Sequence, residues 1–409
     1  MPVPEPDHSR TAHCEWLLER LAHYLGRPVE ETVPLSEYGL DSVLALSLYG
    51  DIEAEFGPLV GPDDIWAHET VRDFARYMAS RDARRGGHRV RSVFVFTGQG
   101  CQHPGMTAGL YLNSASYRRH LDAAAAALLP HTGLSVVDLI LDKDPRLHLA
   151  SCAQPALFAV EYALARTLQD AGVTPAAVLG HGIGEFAAAA VAGAVGLADA
   201  AQLVALRGAF TQRLPPGGGM TAACITAREA AELVADEPRV GIGAVNAAKS
   251  TVLSGQIAAL ERVEARLASR GVRCRRLAVA HAFHSPLMKP MAAEFTAAAR
   301  RLSGGIARLP FYSTVYGRLE TGPLYAPYWA EQLTSPVRFA DAARGMLAQQ
   351  APTHIVEIGP RAVLIPYLRR MGGPVCIPVC QGPDSDAVDL AGVISALDAG
   401  PLAAELAGA

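Results

Sequence analysis

The sequence predicts an all-α unit on the N-terminal side, followed by a larger α/β domain that carries a small α+β unit inserted within it. Three observations predict this. Apolar residues recur at helical spacing over about 13–80, strand and helix signals alternate from 92 to about 378, and within 220–280 the order is strand, helix, strand, strand, helix, strand. A chain of 409 residues with 50% hydrophobic content has room for two or three domains with proper cores.

In the first unit, Glu15-Trp16-Leu17-Leu18-Glu19-Arg20-Leu21 sets apolar residues at helical spacing. A loop with Pro34 follows, and a second helix is expected to begin near Asp41-Ser42. Acid dominates the middle of this unit through Glu37, Asp41, Asp51, Glu53, Glu55, Asp63 and Asp64, so one face of the second helix should be negative. The run Arg81-Asp82-Ala83-Arg84-Arg85-Gly86-Gly87-His88-Arg89 is basic, contains glycine and reads as a linker over 81–91.

Ser92-Val93-Phe94-Val95-Phe96 then reads as a buried strand that ends at Gly98-Gln99-Gly100. The inserted unit, over 219–280, has strand patterns at 221–225, 240–245, 251–254 and 272–280 and helical ones at 229–236 and 257–269. That is the order of a ferredoxin-like β-α-β-β-α-β unit. Residues 381–409 read as a C-terminal helix or tail.

Composition excludes several function classes. A formal net charge of -4 with 19% charged residues leaves no basic surplus for a nucleic-acid backbone. The seven cysteines are scattered, without a Cys-x-x-Cys pair, which predicts reduced thiols in a cytoplasmic setting and no structural metal. The opening Met-Pro-Val-Pro-Glu-Pro-Asp-His lacks the charged and apolar regions of a signal peptide. The most apolar run, 187–198, is short and rich in Ala, Gly and Val, which predicts a buried helix and no membrane span.

The segment Gly180-His181-Gly182-Ile183-Gly184-Glu185 lies between a strand-like run at 176–179 and an alanine-rich helical run from Phe186. Strand, sharp turn and helix are the setting of a nucleophile elbow, in which the middle residue projects an attacking oxygen. Gly182 has no side chain to project. Cys101 and Ser285 are nucleophile types elsewhere in the sequence, but neither sits at the elbow, where the attacking atom must reach a base.

Glu37-Tyr38-Gly39-Leu40-Asp41-Ser42-Val43-Leu44-Ala45-Leu46, followed by Ile52-Glu53-Ala54-Glu55-Phe56-Gly57 and Asp64-Ile65-Trp66, resembles an acyl carrier protein domain of the polyketide synthase type over 1–80. The resemblance implies a four-helix bundle with phosphopantetheine on Ser42, and an acidic second helix that partner enzymes read. From 92 to 380 a second set of motifs runs in order. It comprises Phe96-Thr97-Gly98-Gln99-Gly100, Ala153-Gln154-Pro155, the elbow, Leu206-Arg207-Gly208, Val245-Asn246, His281-Ala282-Phe283-His284, Phe311-Tyr312-Ser313-Thr314 and Glu357-Ile358-Gly359-Pro360. These resemble the malonyl-CoA:acyl carrier protein transacylase family, in particular the acyltransferase domains of polyketide synthases, which implies an α/β hydrolase-like fold around the ferredoxin-like insertion.

That resemblance implies transfer of a malonyl-type unit from CoA to phosphopantetheine on an acyl carrier protein, in cis or in trans, among other assembly-line enzymes. It assigns the nucleophile position to Gly182, the base to His284, oriented by a backbone carbonyl near Gly359, and the oxyanion donors to the amides of Gln99 and Ile183. Arg207 would grip the free carboxylate of malonyl in a bidentate pair, against the plain alternative of a snorkelling surface arginine. Ile183 and Phe283 go with unbranched malonyl, and Gln154, Asn246 and His181 would complete the substrate site.

Gly182 departs from the pattern. Loss of the nucleophile in a serine hydrolase costs on the order of 10⁶ in turnover, so the implied acyl-enzyme has no attacking atom here. Two origins stand open in the sequence: an introduced Ser-to-Gly change, or a natural domain that lost its chemistry and kept its binding surfaces. The rival reading is a carrier and docking module that binds an acyl carrier or CoA without turnover.

Overall fold

The computed structural model describes residues 8–40, 42–56, 59–61, 64–87, 90–372, 374–381 and 390–397. It divides into two compact units, 1–89 and 90–409. The first unit holds α1 (His8–Leu25), α2 (Ser42–Phe56) and α3 (Val71–Gly87), with single 3₁₀ turns at Leu35–Tyr38 and Asp64–Ala67. Its core is built by Leu17 and Leu21 of α1, Leu48 and Ile52 of α2, and Phe74 and Met78 of α3.

Three expectations for this unit change. The described residues carry three α-helices, with a 3₁₀ turn at Asp64–Ala67 between α2 and α3. The segment read as a linker from Arg81 is instead helical to Gly87, because its Ala and Arg residues are good helix formers and its glycines come last. The negative face of α2 is also reduced. On α2 Asp51 pairs with Arg20 at 3.3 Å, while Glu53 and Glu55 stay exposed; Asp64 lies on the 3₁₀ turn beyond α2. Asp41 and Asp63 lie outside the described residues.

The second unit opens with β1 (Ser92–Phe96), buried along its whole length as a central parallel strand requires. Helices α4 (Ala108–Asn113), α5 (Ala115–Thr132), α6 (Val136–Leu141) and α7 (Ala150–Asp170) lead to β2 (Val178–Gly180). The elbow turn then feeds α8 (Gly184–Val191) and α9 (Leu197–Gln212).

The inserted segment follows as β3 (Gly218–Ala223), α10 (Ala227–Val234), β4 (Val240–Ala247), β5 (Ser250–Gln256), α11 (Ile257–Ser269) and β6 (Cys274–Arg276). Its four strands form one antiparallel sheet in the order β4-β5-β3-β6 around a separate small core. The last strand is shorter than the 272–280 expected. Beyond Arg276 the chain leaves the sheet edge to form the loop that carries His281 and His284.

The chain returns to the large sheet through α12 (Lys289–Ala299), β7 (Phe311–Ser313), β8 (Arg318–Glu320), α13 (Ala326–Thr334), α14 (Phe339–Gln350), β9 (His354–Ile358), α15 (Ile365–Arg369), β10 (Val375–Pro378) and α16 (Leu390–Ala396). The six strands run in the order β10-β9-β1-β2-β7-β8, parallel except for β8. Both β1 and β2 end at the same sheet edge, so the loops after them meet there, as ligand-binding loops of parallel sheets do. A backbone bridge joins the small sheet to this edge: Val245 donates to Val337 O and Val337 donates to Gly243 O, each at 2.9 Å. Among the described residues no helix is long and apolar enough to cross a membrane. None of the seven cysteines is in a disulfide.

Candidate active site

The turn from β2 into α8 is packed against backbone on both sides. A β-carbon on Gly180 would stand 2.4 Å from Glu185 Cα, and one on Gly184 would stand 2.1 Å from the Thr97 carbonyl oxygen. Both positions therefore require glycine. Gly182 differs: its φ is +58°, and a β-carbon there meets only His284 Nε2, at 3.4 Å. The middle residue of the elbow is thus the one with room for a side chain, at a left-handed cost of about 1–2 kcal/mol for any residue but glycine.

His284 arrives on the loop that follows β6, and it too has a left-handed backbone, with φ +55°. Its Nδ1–H donates to the Ser335 carbonyl at 3.2 Å, which leaves the lone pair on Nε2, facing position 182. Burial, with the charge of Arg207, lowers its pKa to about 3, so the ring is neutral. The carbonyls that orient His284 are therefore those of Ser335 and Gln332, at the end of α13, and not one near Gly359. Gly359 lies under the loop after β1, where a β-carbon would stand 2.2 Å from Thr97 Oγ1.

That loop brings Gln99 to the elbow. A β-carbon on Gly98 would stand 2.9 Å from the His181 carbonyl oxygen, so the two turns touch backbone to backbone. Ile183 is buried at the start of α8. Among the described residues neither its amide nor that of Gln99 donates to a backbone carbonyl. Gln154 of α7 donates to Gln99 Oε1 at 3.2 Å, and His181 Nε2 pairs with Asn246 Oδ1 of β4 at 2.9 Å. Burial lowers the His181 pKa, so that ring is a neutral link between the elbow and the small sheet.

Arg207 does not snorkel. It is 1% exposed, with its guanidinium 5.9 Å from the Phe186 ring centroid and 6.0 Å from that of Phe283. Among the described residues no carboxylate lies within ion-pair distance of it, and its Nε is buried without a hydrogen bond. Burial lowers its pKa to about 10, which still leaves it charged near neutrality. The acid whose charge acts on it, Glu185, is engaged through one oxygen: Oε1 accepts from Tyr328 OH at 2.7 Å and from the Thr314 amide at 2.8 Å, while Oε2 is buried without a hydrogen bond. Burial raises Glu185 to about 7.

The two other nucleophile types are structural. Cys101 is buried against Thr97 Oγ1 (3.0 Å) and the Gly98 carbonyl (3.1 Å), and desolvation pushes its thiol up. Ser285 donates to the Ala282 carbonyl at 2.7 Å and accepts from the Leu287 amide as a cap.

The structure thus gathers His181, Gly182, Ile183, His284, Gln99, Gln154, Asn246, Arg207 and Phe283 around one elbow. Ser42 belongs to the first unit, as the first residue of α2, with its side chain outside the described residues. Sequence reasoning missed Gln332 and Tyr328, which reach the elbow and Glu185 across 150 and 143 positions, and Ser335, which reaches His284 across 51. Glu161 was missed too; from α7 it accepts the Thr97 hydroxyl at 2.5 Å beneath the Gln99 loop. No local pattern marks these residues.

Residues 93–374 match the acyl transferase domain family, and residues 15–78 match the phosphopantetheine attachment site family. The chain belongs to the acyl transferase domain family. It is 39% identical over 316 residues to a phenolphthiocerol synthesis polyketide synthase type I of Mycobacterium marinum, covering 76% of this chain and 15% of that one. The chain therefore spans less than a fifth of that relative's length. Solved structures that resemble the acyltransferase domain include the following two. The acyltransferase domain from module 8 of the salinomycin polyketide synthase is 31% identical, with a TM-score of 0.72 over 89% of this chain and 94% of that one. The malonyl-CoA:acyl carrier protein transacylase of Xanthomonas oryzae pv. oryzae is 31% identical, with a TM-score of 0.68 over 75% of this chain and 98% of that one.

Proposed function

We propose that this chain is a carrier and acyltransferase pair of polyketide-type biosynthesis, whose acyltransferase half recognises a malonyl-type thioester of CoA or of a carrier. In this reading Gly182 stands at the nucleophile position, His284 is the base, and the amides of Gln99 and Ile183 are the oxyanion donors. The four-stranded unit, read as a ferredoxin-like fold, contributes Asn246 to the site.

One observation carries the reading: Arg207 is buried, charged and without a carboxylate partner among the described residues. An unpaired buried cation is costly, and a ligand carboxylate that forms a bidentate pair with its planar fork offsets that cost. Malonyl supplies such a carboxylate and acetyl does not. Phe283, in contact range of the guanidinium, narrows the space beside the α-carbon, which favours the unbranched unit by about 1–3 kcal/mol.

For the carrier half, Ser42 is the residue proposed to hold phosphopantetheine. It opens a 15-residue helix, where a phosphodiester is favoured by the amide groups of the first turn. The group would supply a thiol that bears the acyl unit as a thioester. The remaining exposed acids of α2, Glu53 and Glu55, offer a partner enzyme a negative contact.

The test is equilibrium binding of malonyl-CoA and acetyl-CoA by calorimetry, with intact-protein mass recorded in parallel. Malonyl-CoA should bind more tightly by about tenfold or more, the preference should vanish in Arg207→Leu, and no acyl adduct should form between residues 92 and 380. Equal binding of the two thioesters would overturn the reading.

A further inference from the structure

We propose that the elbow around Gly182 hydrolyses malonyl-type thioesters directly, with a water molecule taking the place of a serine hydroxyl. The inference rests on the reading that malonyl thioesters bind at Arg207, and it adds an activity that needs no acyl-enzyme.

Four features point to it. A β-carbon at position 182 touches one heavy atom within 4 Å, His284 Nε2 at 3.4 Å, so a water hydrogen-bonded to that nitrogen fits where a side chain would go. Nδ1–H is committed to Ser335, so Nε2 holds the lone pair that accepts the water's proton. The amides of Gln99 and Ile183, the oxyanion donors of that reading, donate to no backbone carbonyl among the described residues. Finally, the elbow keeps its shape without a side chain at 182, because Gln332 Nε2 donates to the Gly182 carbonyl at 2.6 Å and the turn is wedged between Gly180 and Gly184.

The step balances with water as the only co-reactant. The water oxygen bonds to the thioester carbonyl carbon as its proton passes to His284 Nε2, and the carbonyl electron pair moves onto the oxygen facing the two amides. On collapse the carbon–sulfur bond breaks and the imidazolium proton passes to the departing thiolate sulfur. The products are the free dicarboxylic acid and a free thiol, and the protein returns unchanged. Serine-hydrolase sites stripped of a triad member retain about 10³–10⁴ over water from binding and the oxyanion donors alone, which sets the scale expected here.

The experiment follows thiol release from malonyl-CoA by the full chain, with intact mass and exchange of labelled CoA into malonyl-CoA measured alongside. Release is expected about 10³-fold above the protein-free rate, with neither adduct nor exchange. Gly182→Ala puts a methyl group where the water would sit and leaves His284 and Arg207 in place. It should keep malonyl-CoA binding and lose at least about tenfold in release. His284→Gln, checked for folding by its unfolding transition, should lose release in the same way. Release at the protein-free rate in protein that binds malonyl-CoA through Arg207 overturns the hydrolysis and leaves the binding reading intact. Failure to bind malonyl-CoA overturns both. Release that persists in Gly182→Ala, or that is accompanied by an adduct or by exchange, overturns the direct route.

Discussion

The side-chain amide of Gln332 donates to the carbonyl of Gly182 at 2.6 Å, across 150 positions of sequence. Through this bond α13 holds the turn, and one turn of helix later the Ser335 carbonyl holds His284. Elbow and His284 are therefore registered by the same segment. Gln332→Leu leaves the Gly182 carbonyl without this partner, which should cost about 1–3 kcal/mol in chemical denaturation of the larger unit. Thiol release from malonyl-CoA should fall as well, while malonyl-CoA affinity, which depends on Arg207, stays near its original value.

Glu185 gives the larger unit a pH dependence. In the unfolded chain its carboxyl ionises near 4.5, and in the folded state burial raises it to about 7. Its contribution is full below about pH 4.5 and is lost as the pH rises through 7, about 3 kcal/mol in all. Glu185→Gln should remove this decline from a denaturation series between pH 4.5 and 8. Because Glu185 acts on Arg207, malonyl-CoA should also bind the original chain more weakly above pH 7, and the Gln variant should bind evenly across that range.

Much of this site is legible in the sequence for a physical reason. Gly180, Gly182 and Gly184 lie within one tight turn, where close approach of backbone and a left-handed φ impose a recognisable string. Arg207 and His284 stand in motifs of their own. Their surroundings are different in kind. Ser335 contributes only a carbonyl, which any residue would supply, so sequence reasoning placed the orienting group near Gly359 when the packing of Gly359 on Thr97 leaves it elsewhere. Gln332 and Tyr328 act through tertiary contact, and nothing in their local spacing distinguishes them from ordinary helix residues. The continuation of α3 through Arg81 was hidden likewise, since a basic run with terminal glycines suits a helix end as well as a linker.

Ser42 is the point at which the carrier half is tested on its own terms. Incubation with a phosphopantetheinyl transferase and CoA should add one phosphopantetheine to the chain, located by peptide mass to the start of α2. Ser42→Ala should add none. A mass gain that survives this substitution would place the attachment elsewhere.

Gly182→Ser is the most direct interrogation of the elbow. The new side chain enters at a position where its β-carbon touches only His284 Nε2, so packing does not oppose it. The backbone does: φ is +58°, and a left-handed serine should lower the stability of the larger unit by about 1–2 kcal/mol relative to glycine. In exchange an oxygen is set beside the neutral imidazole of His284. Malonyl-CoA should then acylate Ser at 182 stoichiometrically, seen as a malonyl mass increment on the peptide that carries the elbow. Adding His284→Gln should slow that acylation by about 10²-fold or more. Adding Arg207→Leu instead should weaken malonyl transfer far more than acetyl transfer, because only malonyl has a carboxylate to pair. A folded Gly182→Ser protein that binds malonyl-CoA and stays unacylated would mean that position 182 is not where the attacking atom belongs.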